Sequence, residues 1–108
     1  MDKLFRCAEG LNRRFPDGDD PFKIVTRLAE ECGEVAAEVN HFEDTGVKVA
    51  RRGAPDRKAF AKELIDTMRV VAQLALYYDL REELEARLEE SYQAMLSEGL
   101  IEPLAPGR

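Results

Sequence analysis

Two acid pairs stand out in the chain. Glu31 and Glu34 are three residues apart in LAEECGEVAAEVN, residues 28–40, and Glu63 and Asp66 are three apart in KELID, residues 62–66. On a helix, an i,i+3 spacing puts both acids on one face, close enough to share a ligand. The first stretch also carries Glu30 and Glu38 and holds no lysine or arginine. Each like-charged i,i+3 or i,i+4 pair costs an isolated helix roughly 0.2–0.5 kcal/mol. If both acid pairs converge, two carboxylates at 4 Å repel by about 4 kcal/mol at an effective dielectric of 20. A divalent cation offsets that cost. An all-oxygen donor set suits Mg²⁺ or Mn²⁺ rather than zinc, with waters and substrate phosphates as the remaining ligands.

Glu63 is the most telling of the four. Wound at 100° per residue it falls beside Phe60, Thr67, Val70 and Leu74, on an apolar arc. A carboxylate there must be neutral, paired or metal-bound, because burying the bare charge is prohibitive. The alternative for the other acids is ordinary ion pairing, with Arg27 four residues before Glu31 and Arg69 three after Asp66. A di-iron bundle needs Glu-x-x-His motifs. The chain has a single histidine, His41, so it cannot supply the motifs a di-iron site requires, and His41 reads as a surface or helix-end residue.

The elements that must position these acids are helices. The spacing predicts helices over about 2–14, 21–42, 58–79 and 80–98, with no strand. PDGDDP is turn chemistry, Pro21 suits a first helical turn, and Gly99 marks an exit. In the second helix Val25, Leu28, Cys32, Val35, Val39 and Phe42 repeat at 3,4,3,4,3, a seam for another helix. The third is apolar over most of its circumference around a polar stripe of Lys62, Asp66, Arg69 and Gln73. Such a helix is central to a bundle or shared with another subunit. The expectation is one all-α domain over 1–108, a bundle of about four helices whose core is completed by oligomerisation, as a homodimer or homotetramer. Tyr77 and Tyr78 read as core residues rather than a base-stacking pair.

Composition narrows the function. The net charge of −6 argues against a broad nucleic-acid surface. The start MDKLFRCAEG lacks the apolar region of a secretory signal, and no apolar run is long enough to span a bilayer. The chain therefore reads as cytoplasmic, with no membrane partner. Cys7 and Cys32 form neither a zinc motif nor a disulfide framework and read as buried small hydrophobes.

EECGE followed on the next helix by KELID resembles the MazG-like family of all-α nucleoside triphosphate pyrophosphohydrolases, which carries EExxE and then ExxD. The likeness extends over roughly residues 15–78 and includes RFPDGDDPF ahead of the first motif. The resemblance implies Mg²⁺-dependent hydrolysis of a nucleoside triphosphate to the monophosphate and pyrophosphate, with removal of non-standard nucleotides as one use. It assigns metal ligation to Glu31, Glu34, Glu63 and Asp66, and a role with the attacking water to Glu30 and Glu31. LIDTMRVV lacks the second motif of relatives that open phosphoribosyl-ATP. Between the two helices, Lys48, Arg51 and Arg52 lie in a basic connector that either closes over substrate phosphates or stays solvated. The rival expectation is a non-enzymatic helical interaction module with a structural cation site.

Overall fold

A computed structural model of the chain describes residues 1–43 and 53–106. The connector residues Lys48, Arg51 and Arg52 lie outside the described residues. The fold is all-α, with four helices and no strand among the described residues. They are α1 (Asp2–Arg14), α2 (Pro21–Phe42), α3 (Arg57–Tyr77) and α4 (Arg81–Ser97), with a 3₁₀ turn at Pro16–Gly18. The chain divides into two compact units, Met1–Tyr78 and Asp79–Arg108.

Local chemistry sets the helix ends. Asp20 caps α2, its carboxylate accepting from the backbone N–H of Phe22 (2.9 Å) and Lys23 (3.1 Å), and Pro21 follows in the first turn. Asp56 caps α3 by accepting from Lys58 N–H at 2.9 Å. After α3, Asp79 takes a left-handed backbone (φ 55°), a conformation that aspartate tolerates better than most residues. α4 closes on Gly99 (φ 72°), whose N–H donates to Leu96 O while Leu100 N–H donates to Met95 O. That pair of bonds is a Schellman motif. In the second unit Leu104 N–H donates to the Tyr92 hydroxyl at 2.6 Å, folding the tail onto α4.

In the first unit both α1 and α2 pack on α3. Phe5 and Ala8 of α1 are fully buried against Ala72 and Ala75 of α3, with Leu4 and Leu76 beside them. The alanines let the two backbones approach closely. Phe42 of α2 meets Phe60 at 5.2 Å between ring centroids, while Arg27 near the start of α2 reaches Gln73 near the end of α3. The two helices are therefore antiparallel.

The packed arc of α2 differs from the expected seam. Leu28, Val35 and Phe42 are at least partly buried as the spacing predicts, but Val25, Cys32 and Val39 are exposed. Ile24, Glu31 and Glu38, each one position earlier, are turned in instead. α3 behaves in a matching way. Its polar residues Asp66, Arg69 and Gln73 are partly or fully buried, while Leu64, Ile65, Met68 and Val71 are 42–49% exposed. Polar atoms on one helix thus find polar partners on the others, and an apolar band of α3 is left outward.

Three further expectations are corrected. Cys7 and Cys32 are both exposed, because the arcs carrying them are not the ones packed on α3. Tyr77 and Tyr78 are also exposed, and they stack on each other edge to face at 5.0 Å at the end of α3. His41 does lie at a helix end but is buried, its Nε2 2.6 Å from Gly53 O. No helix among the described residues is long and apolar enough to cross a membrane.

Candidate metal centre

The rotation of α2 puts Glu31 opposite the middle of α3. There one carboxylate oxygen each from Glu31, Glu63 and Asp66 lie within 4.8 Å of one another. Three of the four expected ligands are thus brought together. Glu34 and Glu30 are exposed on α2 and outside this cluster. Glu34 is one turn along from Glu31, and a helix arc narrow enough to bury Glu31 leaves its i+3 neighbour at the margin.

The three acids differ in their surroundings. Asp66, with 11% of its side chain exposed, accepts from Lys62 Nζ at 2.6 Å and from Arg69 Nη2. Glu63, with 18% of its side chain exposed, has Lys62 Nζ at 3.9 Å. Glu31 has no such cation. Its Oε2 is buried without a hydrogen-bond partner, and no ion pair joins it to Arg27 among the described residues. Burial raises the Glu31 carboxyl above its usual range. The charges of Asp66 and Glu63 push it further in that direction, as does a hydrogen bond with Glu63 that requires a proton between the two, while Lys62 pulls weakly the other way. Asp66 responds in the opposite sense. Burial alone would raise it, but hydrogen bonds and charge from Lys62 and Arg69 hold it below the usual carboxylate range. Lys62 is raised in return, chiefly through its hydrogen bond to Asp66.

Part of the alternative reading is therefore present. Arg69 does pair with Asp66, as its i+3 position allows. Arg27 does not pair with Glu31. It donates instead to Gly18 O at 3.1 Å and to Gln73 Oε1 at 3.5 Å. Gln73 is itself buried and donates from Nε2 to Asn12 Oδ1 at 2.9 Å, so one amide links α1, α2 and α3. The sequence reading missed this linkage. Gln73 was visible only as part of a polar stripe, and nothing in the spacing of Asn12 or Gly18 marks them as its neighbours.

Arg27, Glu31, Lys62, Asp66, Arg69 and Gln73 all line one cleft of about 230 Å³, with Leu11, Phe15 and Val70 on its apolar side. Its donor set fits a hard divalent cation. The ligand atoms are all carboxylate oxygens, two helices hold them, and one buried oxygen lacks a hydrogen-bond partner among the described residues. Comparison of the chain with family models, curated proteins and solved structures finds no match.

Proposed function

We propose that the cleft is the active site of a Mg²⁺-dependent nucleoside triphosphate pyrophosphohydrolase of the MazG-like type, acting on non-standard nucleotides among others. The observation that carries this reading is the convergence of Glu31, Glu63 and Asp66 from two antiparallel helices. Glu31, Glu63 and Asp66 would hold the metal, with Glu34 as a further ligand from the neighbouring exposed turn. A divalent cation held there, Mg²⁺ or Mn²⁺, would supply neutralisation of triphosphate charge and acidification of the attacking water. Glu30, exposed beside this turn, is the acid assigned to the attacking water. Leu11, Phe15 and Val70 give the cleft an apolar side, and an apolar wall strengthens the electrostatic contacts beside it.

The test is pyrophosphate release from a panel of nucleoside triphosphates, with and without Mg²⁺. The expected result is metal-dependent release from at least one of them. Replacing Glu63→Gln keeps the side-chain shape while removing the anion, and should lower the rate by at least ~10²-fold. Absence of metal-dependent pyrophosphate from every triphosphate would overturn the assignment. One observation favours the rival reading of a non-enzymatic module with a structural cation site: Lys62 and Arg69 already neutralise Asp66 without any metal. That reading expects Mn²⁺ to raise the melting temperature of a chain that hydrolyses nothing.

A further inference from the structure

The cleft holds more unsatisfied hydrogen-bonding capacity than the acids explain. Arg27 and Arg69 both line it, and the Nε of each is buried without an acceptor among the described residues. A guanidinium has five N–H donors and no acceptor function, so a guanidinium lining a cleft can only take an acceptor as its partner there. Arg27 is held for that purpose at two points, Gly18 O and the Gln73 amide that Asn12 anchors. The absence of a side chain at position 18 is part of the arrangement. A Cβ built on Gly18 would lie 2.6 Å from Arg27 Nη1.

Lys62 and Arg69 complete the picture. Both line the same cleft, and both are engaged by one carboxylate, Asp66. A carboxylate that two cations share is a local stand-in for a more highly charged anion.

We propose that Arg27, Lys62 and Arg69 form a polyphosphate-binding wall of the cleft, with Asp66 as its exchangeable counter-ion. An incoming pyrophosphate group accepts from the Arg27 guanidinium and competes with Asp66 for Lys62 and Arg69. Asp66 is then released to a cation. Anion and cation binding consequently favour each other, and linkage makes that coupling reciprocal. The identification of the anion as the phosphates of a nucleotide rests on the pyrophosphohydrolase reading; the anion site itself does not.

The experiment is calorimetric titration of inorganic pyrophosphate into the full chain in EDTA at low ionic strength, with each variant's fold checked by circular dichroism and melting. Wild type should bind pyrophosphate more tightly than orthophosphate. Arg27→Gln and Arg69→Gln should each weaken binding by at least ~10-fold, the scale of a lost charge-assisted hydrogen bond. Arg6→Gln, which removes an exposed arginine paired with Glu9 on the same helix, should change it by less than ~2-fold. Two milder variants keep the test open if a glutamine variant fails to fold. Gly18→Ala should displace the Arg27 guanidinium and weaken binding several-fold at an unchanged melting temperature, and Arg69→Lys should weaken it while keeping the charge.

The discriminating variant is Asp66→Asn. Removing the competing carboxylate should tighten metal-free pyrophosphate binding by about fivefold or more. Failure of wild type to bind, wild-type affinity in the Arg27 and Arg69 variants, or unchanged or weaker binding by Asp66→Asn each overturns the proposal. Arginine-dependent pyrophosphate binding in a chain that hydrolyses no triphosphate would leave the anion site standing and remove the enzyme. Hydrolysis with arginine-independent pyrophosphate binding would do the reverse.

Discussion

Glu31 and Asp66 share a cleft yet ionise in opposite directions, and the difference is measurable as stability. Glu31 is raised, first by burial and then by Asp66 and Glu63. Its contribution to stability is therefore full below its unfolded value near 4.5 and is lost as pH climbs through the raised folded value. Asp66 is lowered, because Lys62 and Arg69 outweigh its burial. Its contribution is present above its unfolded value near 3.8 and is lost as pH falls through the lowered folded value. At pH 7 without metal, Glu31→Gln should therefore melt a few degrees above wild type, and the gap should close below about pH 4.5. Asp66→Asn should melt lower, through loss of charge-assisted hydrogen bonds to a mostly buried carboxylate worth about 1–3 kcal/mol. Both variants should lose calorimetric Mn²⁺ binding. Thermal melts in EDTA across pH 3–8 check the signs, and a reversed order of the two variants at pH 7 contradicts the site's electrostatics.

The helices place these residues through two devices with separate consequences. The first is the Asp20 cap on α2, which satisfies two of the orphan N–H donors at the helix start. Asp20→Ala should cost about 0.5–2 kcal/mol of stability. It should leave Mn²⁺ affinity unchanged in the folded protein, since Glu31 sits about three turns further on. Chemical denaturation and calorimetry on the same variant separate the two effects. The second device is the close α1–α3 contact of Ala8 with Ala72 and Ala75. Ala72 is 1% exposed, so a larger side chain there must push α1 away. Ala72→Leu should destabilise by about 1–3 kcal/mol through overpacking. It should also disturb the Asn12–Gln73 bond that spans the same two helices, so the urea midpoint and the pyrophosphate affinity should fall together.

Across the whole molecule, the described core is small. The only large side chains that are fully buried among the described residues are Phe5 and Ile24. Leu64, Ile65, Met68 and Val71 form an exposed apolar band on α3, and Val25, Cys32 and Val39 are exposed on α2. Burying such side chains yields roughly 25 cal/mol per Å² of apolar area, so a second copy of the chain is the expected cover. Light scattering at micromolar concentration should give at least twice 12.2 kDa. Met68→Asp should lower both that mass and the melting temperature. A stable wild-type monomer would refute the shared-core argument.

The helix inventory was legible in the sequence because its signals act within a turn or two. Asp20-Pro21 opens α2, Gly99 closes α4, and the apolar periodicity between such marks admits helices and no strand. Glu31, Glu63 and Asp66 were legible as partners for the same reason, since i,i+3 acids on successive antiparallel helices have few other ways to meet. What the sequence left undecided was the rotation of each helix about its own axis. On α2 two arcs one position apart share Leu28, Val35 and Phe42, and periodicity does not separate them. Packing against α3 does, because the Arg27–Gln73–Asn12 linkage and the acid cluster need polar faces turned inward. That rotation admits Glu31, leaves Glu34 exposed, exposes Cys32 and Val39, and brings Arg27 over Gly18. It is a property of three helices packed together, and no single stretch of the chain encodes it.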